Sequence, residues 1–86
     1  MLKIYRILYR DGPAAVYEIF PKRGRTQNRT EAQRINEQAQ YRLRREGSGY
    51  RITNGPTHKG EYFPLLTQLI DAISPESGTV IAVLEN

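Results

Sequence analysis

The segment Thr79-Val-Ile-Ala-Val-Leu84 is apolar at almost every position. A run this short and this uniform does not alternate between water and core. It reads as a strand covered on both sides, or as the centre of a sheet. The rest of the fold must therefore supply neighbours for it. The chain has 86 residues and no cysteine. That length makes a single domain over 1–86. Disulfide frameworks and thiolate zinc sites are excluded, so apolar side chains alone build the core. A core of this size is small, and a homodimer would be one way to enlarge it.

The first half of the chain reads as a hairpin. Residues 2–10 are rich in Ile, Leu and Tyr, Asp11-Gly12-Pro13 is a turn signal, and residues 14–20 form a second strand that Pro21 ends. Pairing Tyr9 with Ala14 sets Ile7 opposite Val16 and Ile4 opposite Ile19. Alternation then divides the hairpin into an Ile4, Leu8, Ala15, Ile19 face, read as the core face, and a Tyr5, Ile7, Tyr9, Val16, Phe20 face, aromatic and partly charged.

A helix is predicted over about 30–46. Asn28 with Glu31, or Thr30 with Gln33, fits a capping box, and no Gly or Pro interrupts the segment. Ala32, Ile35, Ala39 and Leu43 recur at helical spacing, and Gly47 suits a helix stop. A short strand is expected near 49–53. A second helix is expected over 64–73, with Pro64 at its first position and Leu65, Leu66, Leu69, Ile70 and Ile73 on its apolar face. The fold class is α+β. It is a small antiparallel or mixed sheet, made from the N-terminal β-hairpin, the C-terminal strand and the short strand near 49–53, with both helices on one face. The C-terminal strand is expected beside the first.

Charge is unevenly placed. Residues 1–46 carry eleven basic and five acidic side chains, and residues 47–86 carry two basic and four acidic. Such asymmetry is the footprint of a partner for a polyanion, or for an acidic protein surface. The basic segment Lys22, Arg23, Arg25, Arg29 precedes the first predicted helix. On that helix Arg34, Gln38, Tyr41 and Arg45 repeat at i, i+4, i+7, i+11, with Arg42 beside them, as one exposed strip. Arg and Gln are side chains that meet phosphates and base edges. Tyr5 and Tyr9 share a strand face with Lys3, where aromatic rings could stack on bases.

Several chemistries are disfavoured. The carboxylates are scattered and there is one His, so no metal or other cofactor is expected. No nucleophile elbow, phosphate loop or dinucleotide fingerprint occurs. His58, in a Gly-rich loop near Lys59 and Glu61, is the one side chain that titrates near neutrality unaided, and it would serve a metal-free nuclease. No apolar run approaches the roughly 18 residues of a membrane span. Lys3 and Arg6 interrupt the apolar start, which therefore does not read as a signal peptide, and a cytoplasmic protein is expected. The leading expectation is a non-enzymatic nucleic-acid-binding protein, for RNA or DNA. The alternative is a protein-binding inhibitor or regulator, of the kind a phage or mobile element encodes, using the same basic face.

Overall fold

A computed structural model describes residues 1–9, 12–20 and 29–85. The strands are β1 (Leu2–Tyr9), β2 (Ala14–Phe20), β3 (Tyr41–Glu46), β4 (Gly49–Asn54), β5 (Tyr62–Phe63) and β6 (Val80–Leu84). The helices are α1 (Arg29–Glu37) and α2 (Leu66–Ile73). They form an α+β fold around one six-stranded mixed sheet of order β2-β1-β6-β3-β4-β5. The apolar run expected at the sheet centre is β6. It lies between β1, antiparallel, and β3, parallel, and Val80, Ile81, Ala82 and Val83 are all buried.

Three expectations are corrected. The first is the long helix over 30–46. Helix α1 ends at Glu37, and its last turn tightens as Gln38 N–H reaches both the Arg34 and Ile35 carbonyls and Ala39 N–H reaches Asn36. The chain then turns into β3. Tyr41 and Leu43 point into the core and Arg42 and Arg44 point to the other face, a period of two. Gln40 starts the new ladder, since its N–H donates to the Val80 carbonyl at 3.0 Å and its side-chain oxygen accepts from Val80 N–H at 2.8 Å. Gly47, at φ 61°, is the first residue of the two-residue turn between Glu46 and Gly49, not a helix stop.

The second correction concerns the helices. Strands β2, β6, β3 and β5 run one way, and β1 and β4 run the other. Helix α1 therefore links parallel strands β2 and β3, and α2 links parallel strands β5 and β6. These two connections cross the sheet in opposite directions. Crossovers of this type are right-handed almost without exception, so opposite travel sets the helices on opposite faces, not on one. The contacts agree. Leu69, Ile70 and Ile73 of α2 pack with Ile7, Leu43, Ile52, Ile81 and Val83. Asn36 of α1 is bound by Arg42, which registers beside Ala82 and so shares the face of Ile4.

The third is the hairpin. Tyr9 does pair with Ala14 and Ile7 with Val16, but a bulge follows Tyr5↔Glu18, and Ile4 pairs with Phe20 instead of Ile19. Both hairpin faces enter the interior. Ile7, on the face read as aromatic and partly charged, joins the α2 core, and Ile4 is equally buried on the α1 face.

Candidate nucleic-acid interface

The structure disperses the expected strip of Arg34, Gln38, Tyr41 and Arg45. Arg34 and Gln38 are exposed at the end of α1 and just beyond it. Tyr41 is buried in the α2 core, where its hydroxyl meets Thr57 Oγ1 at 2.8 Å. Arg42 is turned inward onto Asn36. Lys22, Arg23 and Arg25 lie outside the described residues. Arg29 begins α1, and its side chain is outside them as well. Tyr5 and Tyr9 share the α2 face, yet they form no open platform. Ile7 stands between them under the core, Tyr5 is half-buried and Tyr9 is exposed.

What the fold does gather is the end of the sheet where the β3–β4 hairpin turns. Strand alternation sends Arg44 to the α1 face and Arg45 to the α2 face. The turn brings Arg51 opposite Arg44 and Tyr50 opposite Arg45, and β5 adds Tyr62 beside Arg51 and Phe63 beside Tyr50. Each face thus carries an arginine laid over a tyrosine. On the α2 face the Arg45 guanidinium carbon lies 4.7 Å from the Tyr50 ring centre, and Arg45 donates to the Tyr50 hydroxyl at 2.6 Å. On the α1 face the Arg51 guanidinium lies 5.4 Å from the Tyr62 ring centre. Tyr62 is 40 % exposed, which leaves ring surface open to a ligand.

Carboxylates fix these cations in place. Glu46 receives Arg51 Nε at 2.5 Å and stands 3.9 Å from Arg44. Arg51 also donates to the Gly60 carbonyl at 2.8 Å. The hydrogen bond from Arg51 holds the Glu46 carboxyl below its ordinary range. On the other face Glu85 lies between Lys3, at 3.2 Å, and Arg45, at 3.6 Å. Its hydrogen bond holds the Lys3 ammonium above the usual lysine range, while burial pushes the neighbouring Tyr5 phenol up. Among the described residues, four cationic side chains and two carboxylates therefore meet at this end: Lys3, Arg44, Arg45 and Arg51 against Glu46 and Glu85. Among the described residues the balance stays positive, and Arg44 is half-exposed with its ion-pair partner Glu46 3.9 Å away.

Of these residues the sequence singled out Arg45 alone as a contact; Arg44 counted only toward the charge, and Arg51, Tyr50 and Tyr62 were missed. The signal was present. Once Tyr41–Glu46 is read with a period of two, the Gly47-Ser48 turn alone pairs Arg45 with Tyr50 and Arg44 with Arg51.

His58 sits at φ 60° with Nδ1 2.9 Å from Glu61 Oε2, and Glu61 N–H returns to the His58 carbonyl at 3.1 Å. The pair closes the loop before β5 on itself. Among the described residues no group of three or more His, Asp or Glu side chains converges on a metal position, and no helix is long and apolar enough to cross a membrane. Compared with known families, curated proteins and solved structures, the chain matches none.

Proposed function

We propose that this chain is a nucleic-acid-binding protein that grips its ligand with the β3–β4 end of the sheet. The observation that carries the reading is the pair of arginine–tyrosine stacks on the two faces of one hairpin. A guanidinium held over a ring is pre-ordered, so less side-chain entropy is lost when it meets a phosphate. Arginine planes and tyrosine rings also stack on bases whatever the sequence. Arg44 adds a cation held by one carboxylate at 3.9 Å. Lys22, Arg23, Arg25 and Arg29 place four positive charges within eight residues that contain no acid, and they would add phosphate contacts, as would Arg34, exposed on α1.

The test is fluorescence anisotropy with labelled single-stranded RNA, single-stranded DNA and duplex DNA at two salt concentrations. Affinity that falls steeply with salt, and that falls again in an Arg44→Ala/Arg51→Ala double variant, is the expected result. Absence of binding to all three at low salt overturns the reading and assigns the basic surface to an acidic protein partner.

A further inference from the structure

At the opposite edge of the sheet from β5, strand β2 runs seven residues with no described strand beyond it. An edge of this length offers a row of backbone donors and acceptors to another chain unless something blunts it. The bulge near Ile19 blunts only its end, leaving Ala14 to Glu18 as regular ladder. The middle of that stretch is open, with Val16 37 % and Tyr17 46 % exposed. The other edge differs, because β5 has two residues and Pro64 follows it.

Beside this edge, on the α2 face, lies a cleft of about 180 Å³ between the hairpin and the helix. Pro13, Ala14 and Val16 form one wall, and Thr67, Ile70 and Asp71 of α2 form the other. An apolar cavity of about 150 Å³ takes up a benzene molecule, so the cleft has room for one aliphatic side chain. Its lining is mostly apolar, with Asp71 as its acidic member. Asp71 is exposed at the cleft, and Glu18 is the next residue after Val16 on the same face of β2, two positions along the strand. The cation facing Glu18 from β1 is Lys3, whose ammonium is held by Glu85 at 3.2 Å. In a chain with a net charge of +4, this cleft has a carboxylate, Asp71, in its lining and a second, Glu18, farther along β2, and it lies along the open edge of that strand.

We propose that this groove takes an extended peptide segment of another protein. The segment adds a strand to β2, seats one aliphatic side chain between Val16 and Ile70, and sets a Lys or Arg against Asp71 or Glu18. Main-chain hydrogen bonds to the edge give affinity, and the cleft and its carboxylates select the side chains, which alternate along a strand so that every second one faces α2. This surface lies across the sheet from the β3–β4 hairpin end and does not depend on the nucleic-acid reading.

The test uses the intact chain and a displayed library of random seven-residue peptides. Enriched sequences are expected to carry an aliphatic residue with Lys or Arg two positions away. A synthetic consensus peptide should shift the amide resonances of Ala14 to Glu18 and Thr67 to Asp71. Val16→Lys and Asp71→Lys, both at exposed positions, should each weaken it about tenfold or more, a change of ~1.4 kcal/mol, with thermal melting unchanged. The proposal is overturned by a library that yields no binder, by acidic consensus sequences, or by peptide shifts elsewhere on the chain. It is also overturned by self-association that Val16→Lys abolishes, which would give the β2 edge to a second copy.

Discussion

The Arg42 guanidinium holds Asn36 at two points, 2.6 Å to its side-chain oxygen and 2.7 Å to its backbone carbonyl. One residue lies in the last turn of α1, and the other in the strand that follows. The contact places a full positive charge at the carbonyl end of the helix, where the helix dipole and the orphan carbonyls favour it. It also fixes the three-residue link from α1 to β3. Arg42→Leu should therefore lower stability by about 1.5–3 kcal/mol, the range for hydrogen bonds to a charged group. Urea unfolding measures it. Asn36→Ala removes the side-chain bond and leaves the backbone one, so it should cost less, and the double variant should cost about as much as Arg42→Leu alone. Additive losses would mean that the two side chains act separately.

Stability should fall at both ends of the pH range for separate reasons. Glu46 is held below its ordinary pKa by Arg51, so its contribution is full above the unfolded value, about 4.3, and is lost as pH falls through the lower folded value. Lys3 is raised by Glu85 and Tyr5 by burial. Their contributions are full below their unfolded values, about 10.4 and 10, and are lost as pH rises through the raised ones. Glu46→Gln should flatten the acid limb of a thermal-melting profile and leave the alkaline limb alone. Glu85→Gln should weaken the alkaline limb. A profile in which either variant alters the wrong limb would contradict these assignments.

The Gly47 turn shows how far the sequence could be read. A glycine that takes positive φ suits a helix end and a hairpin turn alike, and the arginine-rich run before it has good helix propensity. Leu43 falls on a helical stripe with Ile35 and Ala39, and equally on a strand face with Tyr41. Local pattern cannot separate the two. The decision comes from β6, whose Val80 binds Gln40 through both backbone and side chain and whose two edges must both be paired. The central place of β6, the N-terminal hairpin and the existence of α2 were legible because apolar run length, turn residues and helical periodicity are local signals. Helix α2 nevertheless starts at Leu66, so Pro64 lies outside it and Leu65, expected on its apolar face, is an exposed cap. The opposed helices were not, since they follow from strand directions that only the assembled sheet defines. The arginine–tyrosine stacks were hidden by the same misreading of residues 41–46, because cross-strand neighbours exist only once that segment is a strand.

Gly49 supplies a sharp test of how β5 is held. A Cβ there would meet the Phe63 carbonyl oxygen at 2.6 Å and would also strike the Tyr62 ring. The carbonyl belongs to backbone paired with β4, so it cannot swing aside as a side chain end would. Gly49→Ala should cost about 1–3 kcal/mol, the range for overpacking, and should speed amide exchange across Arg51 and Tyr62. Adding Tyr62→Ala should recover only part of the loss, because the carbonyl clash remains. Full recovery would place the whole strain in the Tyr62 ring.

The two stacks at the hairpin end lead to different expectations for phosphate and base contacts. If Arg44 and Arg51 each neutralise one phosphate, each Ala variant should reduce the slope of log affinity against log salt by roughly 0.7 for a single strand or 0.9 for a duplex. Arg51→Ala also frees Glu46, so its stability must be measured beside its binding. Tyr50 should behave differently. Tyr50→Phe keeps the ring but loses the hydroxyl that accepts from Arg45, and it should retain most single-strand affinity. Tyr50→Ala removes the ring under Arg45 and should cost about 1–3 kcal/mol per stacked base with the salt slope unchanged. Loss in both Tyr50 variants would instead assign Tyr50 to positioning Arg45 through its hydroxyl. Unchanged binding in both would remove the α2 face of the hairpin from the interface and leave Arg44 and Arg51 to bind the ligand on the α1 face alone.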